Sequence, residues 1–329
     1  MNFRIIGATV YLLMATALTP MTASADHKMP RNLSANGPWK TNLQWVTGKA
    51  SRGFKIDDRS RSLAVDQAGV PALIKVEEGL RAYFQWAPTD ESTIRFFDHI
   101  GYSDLIDGRW TSPQIVTFDA DFSSRDRHKY PFDPALVRLD DGRYRMYFTR
   151  NNSAARPPVR DFSIGSAISD DGVFFRIEPG DRIKLDDGPI NDCSVIFFDG
   201  LWHLISPDHT NIGVGFYATS QDGLTFERQE NLFFEGGAWL GNMIEHEGEV
   251  FFVGTGFTLK TNDFAGWQLL ESRELERRVD EGRFHRGVTF VTQFGARKPL
   301  GGEADVEAGE AGGADGAVEV DGAGEAAPA

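Results

Sequence analysis

Along the middle of the chain, apolar positions fall in short runs that break at glycine-containing polar turns, the pattern of β-hairpins. Four of these runs can be set beside one another: "VPALIKVEEGLRAYFQWA" (residues 70–87), "DPALVRLDDGRYRMYFTR" (133–150), "DCSVIFFDGLWHLISPD" (192–208) and, more weakly, "LGNMIEHEGEVFFVGTGF" (240–257). The first two align without a gap, and the third is one residue shorter in its turn. Each is followed by a second repeating segment: "HIGYSDLIDGRWTSPQIV", "SIGSAISDDGVFFRIEPGDRI", "VGFYATSQDGLTFERQENLF" and "TLKTNDFAGWQLLES". There a strand precedes a polar turn, and an aromatic residue (Trp110, Phe175, Phe226 or Trp267) opens a further strand. The pattern therefore predicts four strands per unit.

Helical periodicity is scarce; its best stretch, "LLESRELERRV", is short and highly charged. An all-β chain of repeating four-stranded units closes economically as a propeller, because radial stacking leaves few strand edges exposed. Four units are visible, and the flanking pieces "LQWVTGKASRGFKIDDRSRSLAV" and "RFHRGVTFVTQF" can together supply a fifth blade from both ends of the chain. The expectation is an all-β, five-bladed β-propeller with four-stranded antiparallel blades over residues 59–300. Residues 26–58 would be an N-terminal segment joining the closing blade. Four complete blades with flanking extensions is the alternative.

The ends read differently. Arg4, an apolar run from Ile5 to Leu18 and the small-x-small sequence Ala23-Ser24-Ala25 predict a signal peptide over residues 1–25, hence a secreted or periplasmic protein with no membrane contact after cleavage. Cys193 is the only cysteine, so no intrachain disulfide can support the fold. The formal net charge is -14 in 329 residues, which argues against nucleic acid as a partner. Residues 301–329 hold eight of the carboxylates and no basic or aromatic residue, and are expected to be a disordered tail.

In a propeller the first strand of each blade lines the channel, so the residues that begin those strands converge at one end of it. The aligned starts are Val70-Pro71, Asp133-Pro134, Asp192-Cys193 and Leu240-Gly241, with Asn242 just after the last. Two carboxylates, Asp133 and Asp192, thus face one funnel. Capping of a turn or strand by an Asp-Pro sequence is the competing reading of Asp133. Asp208 and His209, in "SPDHTN", and Trp239 are candidate substrate-binding residues with Asn242, the tryptophan as a platform for a sugar face. His128, His203, His246 and His285 also fall in or near the units, but no His-x-His or His-Glu-x-x-His spacing marks a metal site, and no cofactor motif is present.

"DPALVRLDDGRYRMYFT", followed by "ISDDGVFF", "DCSVIFFDGLWHL" and "ATSQDGLTF", resembles the five-bladed propellers of arabinanase- and levansucrase-like glycoside hydrolases, and more loosely sialidase-like propeller proteins, over roughly residues 60–270. The resemblance implies a glycosidase acting on an oligo- or polysaccharide, with acidic groups at successive blade starts. Asp133 would be the base that activates water, Asp192 the aspartate that tunes the donor, and a glutamic acid the proton donor. Two features depart from that family. Cys193 stands where proline is usual, and Leu240 stands where the acid is expected, leaving Glu235 in "EGG" to reach in from the loop and Glu245 as a second candidate. A non-catalytic glycan- or surface-binding propeller is the rival reading. "SDDGVFF" and "SQDGLTF" resemble the aspartate boxes of sialidases, a likeness of turns on the propeller rim rather than of activity.

Overall fold

The computed structural model describes residues 42–49, 55–77, 79–86, 99–120, 129–155, 159–235, 239–254 and 257–272, together with the short strands at 279–280, 283–284, 289–293 and 315–320. Among these residues there is no α-helix, and four sheets follow one another along the chain in a β-propeller arrangement, antiparallel except where the short strand Thr117–Phe118 runs parallel to Phe174–Ile183. The signal-peptide segment, His128 and His285 lie outside the described residues.

Blade I runs through Ala68–Val76, Gly79–Trp86, His99–Ile106 and Arg109–Trp110. Blade II runs through Phe132–Arg138, Tyr144–Asn151, Phe162–Ser169 and Phe174–Ile183. Blade III comprises Ser194–Phe198, Leu201–Pro207, Val214–Ser220 and Glu227–Arg228, and blade IV Gly241–His246, Glu249–Gly254, Phe257–Thr261 and Gln268–Ser272. The four first strands stand side by side in that order. A further sheet combines the two ends of the chain, in the order Lys55–Asp66, Asn42–Lys49, Asp315–Val320, Thr289–Gln293. Its strand Thr289–Gln293 lies against the first strands of both blade IV and blade I.

One sequence expectation is corrected. Pairing of Ala72 with Tyr83 but of Ala135 with Tyr147 shows that blade II has one more residue in its first turn than blade I, so the two hairpins do not align without a gap. Blade III, with Ser194 opposite Ile205, matches blade I instead. In the acidic C-terminal segment, Asp315–Val320 is a strand that pairs with Asn42–Lys49 on one side and Thr289–Gln293 on the other.

The cores lie between blades, not within them, so both faces of a middle strand such as Tyr144–Asn151 are buried. One core joins Ile74, Tyr83 and Ile100 of blade I to Met146, Phe148 and Phe175 of blade II; the next joins Tyr147 and Ile164 to Val195, Trp202 and Phe226; a third joins Ile205 to Trp239, Phe252 and Phe257. Polar clamps repeat with them. Tyr83 donates its hydroxyl to the Gly172 carbonyl at 2.6 Å, and Tyr147 donates to Gly223 at 2.8 Å one blade on. Those glycines sit in the expected aspartate-box turns, where Asp171 accepts the amides of Val173 and Phe174 and Asp222 those of Leu224 and Thr225. Blade IV repeats the turn with Asp263, which accepts from Ala265 and Gly266, and puts Phe264 in the left-handed conformation held by Gly172 and Gly223. These turns lie at the far end of the second and third strands from the blade starts.

Candidate active site

The blade starts share a backbone feature. Val70, Asp133 and Asp192 have φ of 49°, 52° and 54°, left-handed values that L-residues seldom adopt. In blade I two residues, Val70 and Pro71, lie between the pairs Gly69–Gln85 and Ala72–Tyr83; in blade II Asp133 and Pro134 lie between Phe132–Thr149 and Ala135–Tyr147. Each is a β-bulge, which adds a residue to one strand and re-aims its side chain. Aspartate tolerates this conformation better than most residues, which favours the capping reading. Val70, however, holds the same φ with a branched side chain, so the backbone alone does not demand a carboxylate at the other two starts.

Blade IV lacks the bulge. Its pairing runs regularly through Gly241–Gly254 and Asn242–Val253, and Leu240 is 9% exposed. Gly241 is required there by close approach, since a Cβ would come within 2.2 Å of the Val253 carbonyl oxygen. The fourth start is therefore shaped for apolar packing and offers no acid.

Asp133 is 5% exposed and the Asp192 side chain 11%. Burial first, then the charges of Asp133 and Asp192, push the Cys193 thiol far up, so it stays protonated and unreactive. The Asp192 backbone amide donates to Thr149 Oγ1 of blade II at 3.1 Å, which ties the blade III start to its neighbour across the blade boundary. Its carboxylate Oδ2 accepts from Asn191 Nδ2 at 2.6 Å and meets His209 Nε2 at 2.9 Å. His209 is 41% exposed at the side chain. Burial lowers its pKa, but the hydrogen bond and charge of Asp192, with the charge of Asp208, outweigh that and the opposing charge of Arg160, so the net shift is upward.

The other expected residues are placed as follows. Asp208 folds its own loop: Oδ1 accepts the Thr210 amide at 2.9 Å and the Thr210 hydroxyl at 2.6 Å. Asn242 Nδ2 donates to the Pro71 carbonyl at 3.0 Å, tying the blade IV start to the bulge of blade I. Trp239 is not a sugar platform. It is 1% exposed, donates Nε1–H to the Gly213 carbonyl and packs edge-on against Phe252 and Trp267, because its ring completes the core between blades III and IV.

Glu235 is exposed in the turn after Leu232–Phe233, while Glu245 accepts the Gly248 amide at 3.0 Å and belongs to its hairpin turn. His203 is buried, stacked on Phe264 with ring centroids 3.7 Å apart, and hydrogen-bonded to the Tyr217 hydroxyl. Among the described residues no group of three His, Cys, Asp or Glu side chains is placed to hold a metal ion. Asn191, Thr149 and Arg160 went unmarked in the sequence; only the adjacency of Asn191 to Asp192 pointed to any of them.

No family model matches the chain, and no curated protein matches it. Solved structures with a similar course of the chain include a family 117 glycoside hydrolase from the marine bacterium Zobellia galactanivorans (13% identity, TM-score 0.49, 87% of this chain and 91% of that one). An α-L-arabinofuranosidase from Clostridium thermocellum has 14% identity and a TM-score of 0.47, over 62% of this chain and 72% of that one. An N-acetylgalactosamine deacetylase from F. plautii, solved with blood group B trisaccharide, has 15% identity and a TM-score of 0.49, over 78% of this chain and 83% of that one. At these identities and TM-scores none of the three speaks to the chemistry of this chain, which rests on its own side chains.

Proposed function

We propose that this chain is an exported, five-bladed propeller that hydrolyses a glycosidic bond of an oligo- or polysaccharide. The observation that carries the reading is the pair of aspartates at successive blade starts, Asp133 and Asp192, both in the left-handed conformation and both drawn out of solvent. Glycoside hydrolysis takes a base or nucleophile on one side of the anomeric carbon and an acid on the other. Asp133, buried at the bulged start of blade II, suits the base; Asp192, embraced by Asn191 and His209, suits a positioning role. The strand Thr289–Gln293, standing between the first strands of blades IV and I, supports closure by a fifth blade built from both chain ends.

The second reading, a glycan-binding propeller without turnover, draws on Leu240, which leaves the start of blade IV without an acid. A screen of the wild-type protein and Asp133→Asn on plant and bacterial oligosaccharides and 4-nitrophenyl glycosides separates the two. The hydrolase reading expects wild-type cleavage and a loss of at least about 10²-fold in the variant, the range a general base supplies. Equal rates in the two proteins, including none in either, refute hydrolysis by this site.

A further inference from the structure

We propose that His209, held by Asp192, is the proton donor of this site. This assignment rests on the glycosidase reading and deepens it. Blade IV supplies no acid, since Leu240 packs at an unbulged start. Glu235 stands on an exposed turn, and Glu245 is engaged by the Gly248 amide. His209 instead lies directly on the second aspartate, its Nε2 at 2.9 Å from Asp192 Oδ2.

A purely structural role for that pair is poorly motivated. The loop bearing His209 is already shaped by Asp208 through Thr210, and by the backbone bonds Asp208 N to Val214 O, Asn211 N to Asp208 O and Val214 N to Asn211 O. With Nε2–H directed at Asp192, the other ring nitrogen, Nδ1, has no hydrogen-bond acceptor among the described residues, and the side chain is open enough for a ligand to reach it. Asn191 Nδ2 fixes the same Oδ2 at 2.6 Å and stands 3.1 Å from Nε2, so carboxylate and ring are oriented together. The charged groups around the imidazole are Asp192 on the blade III start, Asp208 in its own loop and Arg160 from the blade II loop; two favour the cation and one opposes it.

The step balances without an added reagent. Asp133 takes a proton from water as the water oxygen bonds to the anomeric carbon. The bond from that carbon to the leaving oxygen breaks, its electron pair stays on the oxygen, and the oxygen takes the Nδ1 proton. Neutral imidazole, still bonded to Asp192, regains a proton from solvent, and Asp133 releases its own.

The test compares wild type, His209→Gln and Asp192→Asn on the phenyl and 2,4-dinitrophenyl glycosides of the sugar that wild type cleaves fastest in the nitrophenyl panel. Phenolate needs protonation to leave and dinitrophenolate does not. His209→Gln is expected to lose about 10² to 10⁴ in kcat/KM on the phenyl glycoside, the range of general-acid catalysis, and less than about tenfold on the dinitrophenyl one. Asp192→Asn should move the alkaline limb of the wild-type pH profile toward acid. Equal losses on both glycosides, or none, overturn the donor while leaving hydrolysis standing; no cleavage of either by wild type overturns the hydrolase reading itself and the donor with it. Independently of substrate, the His209 Cε1–H resonance should titrate above about 6.5, the ordinary histidine value, and fall in Asp192→Asn. Titration at or below that value in wild type overturns the assignment.

Discussion

Tyr147→Phe removes a single oxygen from the boundary between blades II and III. The lost hydroxyl donates to the Gly223 carbonyl at 2.8 Å, and the residue is fully buried. The ring stays, so its packing against Trp202 and Phe226, with centroids 6.2 and 5.9 Å away, is preserved and no large cavity opens. What changes is the hydrogen bond, worth about 1 kcal/mol net, and the Gly223 carbonyl left buried without this donor; together they cost about 1–3 kcal/mol. With a urea m-value of about 3 kcal/mol/M, the midpoint of unfolding should fall by about 0.3–1 M. Tyr83→Phe makes the same deletion one boundary earlier, where the hydroxyl meets Gly172 at 2.6 Å. The two sites share no partner, so the double variant should show the sum within about 0.5 kcal/mol. Equilibrium unfolding followed by tryptophan fluorescence reads all three. If both single variants unfold at the wild-type midpoint, the tyrosines fill space between blades and do not clamp them.

Two further outcomes follow from the same packing and from the turns. Gly215→Ala would place a Cβ 2.6 Å from Trp239 Cγ, and the buried indole has no room to retreat, so a loss of about 1–3 kcal/mol is expected in thermal or urea unfolding; an unchanged melting temperature would show that Trp239 is not locked in the core. Asp171 and Asp222 have depressed pKa values: for Asp171 burial is the largest single influence and acts upward, but the amide hydrogen bonds of Phe174 and Val173, with Ser169, together outweigh it, whereas for Asp222 the amides of Leu224 and Thr225 lead, and for Asp263 those of Ala265 and Gly266. Because the folded values lie below the unfolded ones, the stability these boxes contribute is present above about pH 4 and is lost as pH falls through the folded values. Melting temperature against pH should therefore drop less steeply below pH 4 in Asp222→Asn than in wild type, and identical slopes would refute a role for that box in acid sensitivity.

The blades were legible because a hairpin leaves its mark within about twenty consecutive residues: alternation, a glycine turn, an aromatic second strand. The boundary between neighbouring blades is not written that way. Tyr147 and Gly223, or Thr149 and Asp192, meet only after the ring has formed, and nothing in the spacing of a single repeat pairs them. The extra turn residue of blade II was hidden for a related reason. Sliding "GRYRMYF" by one position still matches aromatic to aromatic, and only the pairing of Tyr147 with Ala135 fixes the register. Trp239 was misplaced because an indole beside a glycine-rich stretch carries the same local signal whether the ring points outward or, as here, inserts into the core.

The aspartates show where repeat and chemistry part. Alignment of Val70, Asp133 and Asp192 identified one structural position, and the common left-handed φ confirms that the position is architectural. A feature present in three blades cannot by itself mark a site, but side chains that differ on an identical backbone can. Blade I fills the position with valine, blade II with a carboxylate 5% exposed, and blade III with a carboxylate that carries an asparagine and a histidine on one oxygen. The last draws its partners from outside the repeated hairpin, and the loop that brings His209 to it has no counterpart in the alignment. The chemistry proposed here therefore sits in the part of blade III that the repeat does not predict.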